Sequence, residues 1–427
     1  MKKLAIIAII TLVSFGLIVP VMAADLDVSG HFRTRGFYLS NANSNLVKES
    51  ASDAYYDFRF RPELTIKVNE NIKLNSRVAI FDEKFGTGSG GRYVNDTNTT
   101  ASPSKSDVAT WDRAWATIIT PYGKLDIGRM SGGLFGLSLF ETEYARDRIK
   151  WTMPVGDLTV LGIIEKNSET ETDTNATLSD MDSSAYYLAG VYKKDNVEAG
   201  LLYGLAHAEN ETTKTMYHVI DPYFNMTVGN FSVKGEIQYK TGTLSEPKNG
   251  TDSTDIAAMG IYLAAAANFG AVNAEIGYAS AAGDDDPLDN EISSLGGAGA
   301  FRSGLGDEWV PLVVLQDINA LLDQGNDSAT KTSTGVNLIY VQADFAVNED
   351  VKLTAVIGNA TPNVKGGANK SDEAFGNEID LKLEWKIADA VTYSANFGYL
   401  MAGDFFKTGT DDPEDTHTFY HCVQVDF

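Results

Sequence analysis

The sequence predicts an all-β fold: a transmembrane antiparallel β-barrel of about 18 strands. Three observations carry this. Apolar and charged residues alternate over runs long enough to cross a bilayer. The connections between those runs alternate short and long. Both ends of the chain fit an exported barrel.

The carboxy-terminal run, residues 416–427, reads THTFYHCVQVDF. Phe419, His421, Val423, Val425 and Phe427 fall on one face, and Thr418, Tyr420, Cys422, Gln424 and Asp426 on the other. Such a length lets a tilted strand span a bilayer. A closed barrel pairs its last strand with its first and leaves no edge. At the other end, Lys2 and Lys3 precede an apolar run over residues 4–21 and a small-residue site at Val21-Met22-Ala23. Residues 1–23 are therefore expected to be a cleaved signal peptide, and residues 24–427 a single barrel domain in a bacterial envelope.

The strands read in order. In residues 56–68, Tyr56, Phe58, Phe60, Leu64, Ile66 and Val68 face one way, and Asp57, Arg59, Arg61, Glu63, Thr65 and Lys67 the other. Residues 231–240 and 379–387 repeat the pattern, the latter setting Ile379, Leu381, Leu383, Trp385 and Ile387 against Asp380, Lys382, Glu384 and Lys386. This is apolar-out and charged-in. Short turns fall near residues 69–71, 121–123, 156–157, 194–196, 229–230, 270–271, 349–350 and 389–390, with longer polar stretches between them. Eight turns and nine loops make eighteen strands. Sixteen is the alternative, because residues 108–119 and 184–192 alternate poorly.

Composition narrows the function. The formal charge is -24, and loss of Lys2 and Lys3 makes it -26, which argues against a nucleic-acid partner. One Cys allows no internal disulfide, and CxxCH is absent. No cofactor is expected. The acidic groups Asp284-Asp285-Asp286 with Asp289, and Asp411-Asp412 with Glu414-Asp415, lack the spacing of a calcium loop and read as solvated loops rather than a metal site. They also suit divalent ions bridging to lipopolysaccharide phosphates. Gly-x-Ser-x-Gly, HExxH and P-loop patterns are absent and the five His are scattered, so no enzyme is expected.

Residues 121–130, PYGKLDIGRM, resemble the turn and fifth strand that precede the third external loop of Gram-negative general porins. With the leader, the turn-and-loop rhythm and the terminal Phe427, the resemblance spans the chain. It implies an outer-membrane, water-filled diffusion channel for ions and small hydrophilic solutes, and a homotrimer. It implies outer-membrane lipid and lipopolysaccharide as surroundings, and Phe427 as an assembly signal read by the barrel-assembly machinery. It also implies that the stretch 131–145 folds inward to narrow the pore, carrying Glu141 and Glu143. Arg129 shares parity with Leu125 and Ile127. Either Gly128 is a bulge that turns it inward, or it lies above the bilayer.

Arginine is distributed unevenly: ten of eleven precede Lys150. Arg33, Arg35, Arg59, Arg61 and Arg77 share the polar face of the first three strands, and Arg146 and Arg148 that of the sixth. We expect a basic pore wall, faced by Glu141 and Glu143. His421 has lipid-facing parity near mid-bilayer, so a neighbouring subunit is expected to cover it, with a local bulge that turns it inward as the alternative. Residues 283–332 break the rhythm. Val313, Val314, Asp317 and Leu321 fit a short amphipathic helix ending near Gly325. The expected arrangement is a structured loop packed on the rim, with a lid or plug as the alternative. Three other functions stay open: a substrate-specific channel for oxyanions or sugars, the barrel sheath of a cytochrome electron conduit, and a plugged structural barrel.

Overall fold

The computed structural model describes residues 25–41, 46, 52–85, 110–137, 139–140, 143–169, 182–210, 212–284, 286, 289–295, 309–318, 321–322, 326–327, 332–364, 374–407 and 411–427. The leader expected over residues 1–23 lies outside them. Eighteen antiparallel strands follow one another round a closed barrel. They are β1 Asp25–Leu39, β2 Asp53–Asn69, β3 Ile72–Ala79 continued by Phe81–Lys84, β4 Thr110–Thr120, β5 Gly123–Gly132 and β6 Tyr144–Val155. Next come β7 Leu158–Ser168, β8 Ser183–Lys194, β9 Val197–Glu209, β10 Thr213–Val228, β11 Phe231–Pro247 and β12 Thr254–Asn268. The circuit ends with β13 Val272–Ala281, β14 Val336–Ala346, β15 Val351–Thr361, β16 Gly376–Ala388, β17 Val391–Ala402 and β18 Thr416–Asp426.

The seam closes β18 onto β1, from His31 opposite Asp426 to Leu39 opposite Thr418. Phe427 extends it, donating to the Gly30 carbonyl at 3.0 Å and accepting from Gly30 N–H at 2.9 Å. Each of the eight turns joins consecutive strands where the sequence places it. Outward positions are apolar and exposed, as along Ile379, Leu381, Trp385 and Ile387, while inward Glu378 and Asp380 are buried. An apolar outer band with a polar interior is the barrel solution to a membrane.

The two weakly alternating strands are present, for different reasons. In β4 the register to β3 shifts, with Arg77 opposite Arg113 and Val78 opposite Trp111, which leaves Asp112 as a bulge residue. In β8 the inward positions Ala185 and Ala189 are themselves apolar and buried. Neither departure removes a strand.

Candidate functional site

The lumen is asymmetric. On one side, β1–β6 turn cations inward. Arg33 stands directly opposite Arg59, and His31 opposite Arg61. Arg35 binds Asp57 through two bonds, 2.5 and 3.1 Å. Arg77 binds the bulge residue Asp112 at 2.7 Å. Arg148 pairs with Glu165, which also lies 3.6 Å from Arg146. Bidentate arginine–carboxylate pairs hold the wall in a fixed geometry. They do not satisfy all of it, since Arg33 Nε is buried without a hydrogen-bond partner. Lower down, Lys67, Lys73, Thr117, Asp126 and Lys150 stand in one register row across β2–β6.

The first constriction is the loop between β5 and β6, which crosses the lumen. Phe135 packs edge-on against Tyr223 of β10 at 5.2 Å. Leu137 N–H donates to Glu236 of β11 at 2.8 Å. Gly136 passes Tyr223 and Glu236 at φ +63°, a conformation that L side chains rarely adopt. Leu139 and Phe140 are buried. Where the loop returns to β6, Glu143 pairs with Arg113 at 2.5 Å and accepts from Ser131. Glu141 lies outside the described residues.

The second constriction corrects the sequence reading. The long segment between β13 and β14 does not rest on the rim; it descends into the lumen. Its described helix is a six-residue π-helix, Val313–Ile318; Gly325, where the sequence places the helix end, lies outside the described residues. Leu312, Val313, Val314 and Leu315 are all buried. Trp309 packs on the inward rings of Tyr262 and Tyr340 at 5.1 and 5.7 Å. Leu312, Val314, Leu315 and the two tyrosines join Leu139, Phe140, Phe405 and Phe406 in an apolar core on the side lined by β12–β17, with Trp309 packed against it. Buried apolar area drives this insertion, because a rim-bound loop would leave the same side chains wet. Asp317 then projects toward the basic wall, accepting from Tyr420 OH at 3.0 Å and facing Lys382, Arg35 and Arg33.

At two positions the bulge alternative falls away. β5 pairs without a register shift through Gly128, so Arg129 stays outward and binds Asp147 at 2.9 Å. No bulge turns His421 inward either. It pairs in register with Gly36 and lies among the rings of Tyr56, Phe419 and Tyr393.

The sequence reading did not single out Arg113 and Glu378, and it gave Asp317, Glu236 and Asp380 no part in the site. The Asp112 bulge disguised the inward parity of Arg113, and the rest depend on which loops enter the barrel. Among the described residues no cluster of three or more His, Cys, Asp or Glu side chains suits a metal.

No family model matches the sequence, and no curated protein matches it. Solved structures do. A BenF-like porin from Pseudomonas fluorescens Pf-5 superposes with a TM-score of 0.59 at 11% identity, covering 94% of this chain and 98% of that one. The fold is that of an outer-membrane porin. OccK8 (OprE) of Pseudomonas aeruginosa gives 0.57 at 12% identity, with the same two coverages. OccAB3 of Acinetobacter baumannii gives 0.56 at 12%, covering 94% and 99%. These porin likenesses are likenesses of fold.

Proposed function

We propose that this chain is an outer-membrane porin: a water-filled channel for passive diffusion of ions and small hydrophilic solutes, with anions favoured. The observation that carries the reading is the asymmetric lumen. Two inserted loops pack an apolar core on one side, and the other side carries the inward cations Arg33, Arg59, Arg61, Arg77, Arg113, Arg146 and Arg148. Low-dielectric walls focus the field of such a row, while loop charge outside the membrane is screened within about 10 Å. Glu143 and Asp317 stand as counter-charges on the two loops. The resulting transverse field favours polar solutes over apolar ones. Single-channel recording in a planar bilayer tests the proposal: discrete conductance steps support it, and a folded barrel without conductance refutes it.

A channel specific for oxyanions is the second reading, favoured by the buried, unpartnered Arg33 Nε. A sugar-specific channel fits less well. It needs open ring faces, and the inward rings of Tyr55, Phe37 and Tyr420 stack on one another, with Lys84 3.5 Å over Tyr55. A cytochrome sheath needs an empty lumen, and this one holds its own loops. Catalysis plays no part in the proposal.

The same reading includes export by residues 1–23, a single barrel domain over residues 24–427, and assembly through Phe427. It places the barrel among outer-membrane lipid and lipopolysaccharide. It also includes a homotrimer in which a neighbouring subunit covers His421. That side chain borders an outward hollow of about 240 Å³ lined by Gly36, Tyr38, Tyr56 and Phe419. A polar ring at that depth is better placed against protein than lipid. Unboiled protein that runs only as a monomer in mild detergent counts against the trimer.

A further inference from the structure

We infer that Glu378 and Asp380 are positioning residues, a two-carboxylate catch that seats the inserted segment and so sets the pore's cross-section and charge selectivity. The inference rests on the channel reading above. Its first support is the shape of the wall. Gly358 of β15 stands in register beside Glu378 of β16, and Asp380 of β16 beside Gly398 of β17. A Cβ at Gly358 would come within 2.7 Å of Leu312, and one at Gly398 within 2.9 Å of Val313 and Val314. The wall is thus hollowed at two points where the segment lies against it, with a carboxylate beside each hollow.

The second support is what those carboxylates bind. Val313 N–H donates to Asp380 at 3.2 Å, and Val314 and Leu315 N–H donate to the two oxygens of Glu378 at 2.6 and 2.8 Å. The first N–H groups of a helix have no partner inside it and must be satisfied from elsewhere. Lys382, the next inward residue of the same strand, donates to the Pro311 carbonyl at 2.6 Å. Three successive inward side chains of β16 therefore grip one stretch of main chain. The gripped side chains, Leu312, Val313, Val314 and Leu315, are apolar and buried, so they supply burial and no polar anchor of their own. What the grip fixes in space is Asp317, against Tyr420 and facing Arg33 and Arg35.

The test compares Glu378→Ala/Asp380→Ala with Glu378→Gln, each checked for heat-modifiable migration as a folded barrel. Three quantities are read: conductance, reversal potential in a salt gradient, and labelling of Cys422 by a membrane-impermeant thiol reagent. Cys422 is the sole cysteine and lies buried beside the same arginines, two residues from Tyr420. The folded double variant is expected to conduct roughly two-fold more or better, because the cross-section widens. It should favour anions more strongly and label Cys422 faster, with Glu378→Gln intermediate. A folded double variant with wild-type conductance and wild-type labelling overturns the inference. If the double variant does not fold, the single variant decides, and unchanged values there overturn it equally. A wild-type barrel that never conducts defeats the channel reading instead, while Cys422 labelling still reports on the catch.

Discussion

Tyr420 on the last strand donates a 3.0 Å hydrogen bond to Asp317 on the inserted segment. The bond ends a stacked row that runs Lys84, Tyr55, Phe37, Tyr420 across β3, β2, β1 and β18. Phe37 is the register partner of both tyrosines. The row braces a loop carboxylate against the head of the arginine wall, so pore geometry and barrel closure share the same side chains.

Asp317 should therefore tune selectivity with pH. Burial raises its carboxyl above the ordinary aspartate value, opposed by the Tyr420 hydrogen bond and the charges of Lys382, Arg35 and Arg33. A raised carboxyl takes up its proton at higher pH than exposed aspartates do, while the arginines stay charged. Falling pH then unmasks Arg33 and Arg35, and anion preference rises. Asp317→Asn should show the higher preference at neutral pH and lose that part of the pH dependence. Reversal potentials recorded across a pH series check this; a variant that titrates like wild type contradicts it.

Glu143 should behave in the opposite sense. Burial alone would raise its carboxyl, but the Ser131 hydrogen bond and the Arg113 charge outweigh it and hold it below the ordinary glutamate value. With the folded value depressed, its stabilisation is present above the unfolded value and lost as pH falls through the folded one. Glu143→Gln should cost about 1–3 kcal/mol near neutral pH, the range for a charged hydrogen bond, discounted for partial exposure. It should also leave Arg113 uncompensated and move selectivity toward anions. Urea unfolding in lipid at neutral pH, then in acid below the folded value, checks the sign: the gap between wild type and variant should shrink in acid.

Much of this architecture was legible in the sequence, and the reasons are physical. Period-two alternation reports a strand with one face in lipid, so β2, β11 and β16 were plain, and the turns between strands were marked by Gly, Asn and Asp. Inward parity also placed Arg33, Arg35, Arg59, Arg61, Arg77, Arg146 and Arg148 on one side. The bulge at Asp112 hid Arg113, because one extra residue reverses parity beyond it. The inserted segment was misjudged for a different reason. Its apolar residues announce burial but not against what, and the answer lay in Gly358, Glu378 and Gly398 on three other strands. No local pattern links those positions.

Phe427 should govern assembly. Its main chain completes the seam at Gly30, and its ring lies 6.0 Å from Phe60. Deleting Phe427, or Phe427→Asp, should sharply reduce heat-modifiable barrel in outer membranes and leave degraded or periplasmic material. Fractionation with unboiled electrophoresis measures this, and normal barrel levels would refute the role.

The central claim is that the inward arginines, and not the net charge of -26 expected after loss of Lys2 and Lys3, set ion preference. The most direct test replaces Arg59, Arg61 and Arg77 together by Gln and records the reversal potential in a salt gradient, with heat-modifiable migration confirming the barrel. Fields from groups a few Å away act before salt screens them. The account predicts an anion-favouring wild type and a clear shift toward cations in the folded, conducting variant. An unchanged reversal potential in that variant would place these arginines outside the narrow part of the pore and contradict the account.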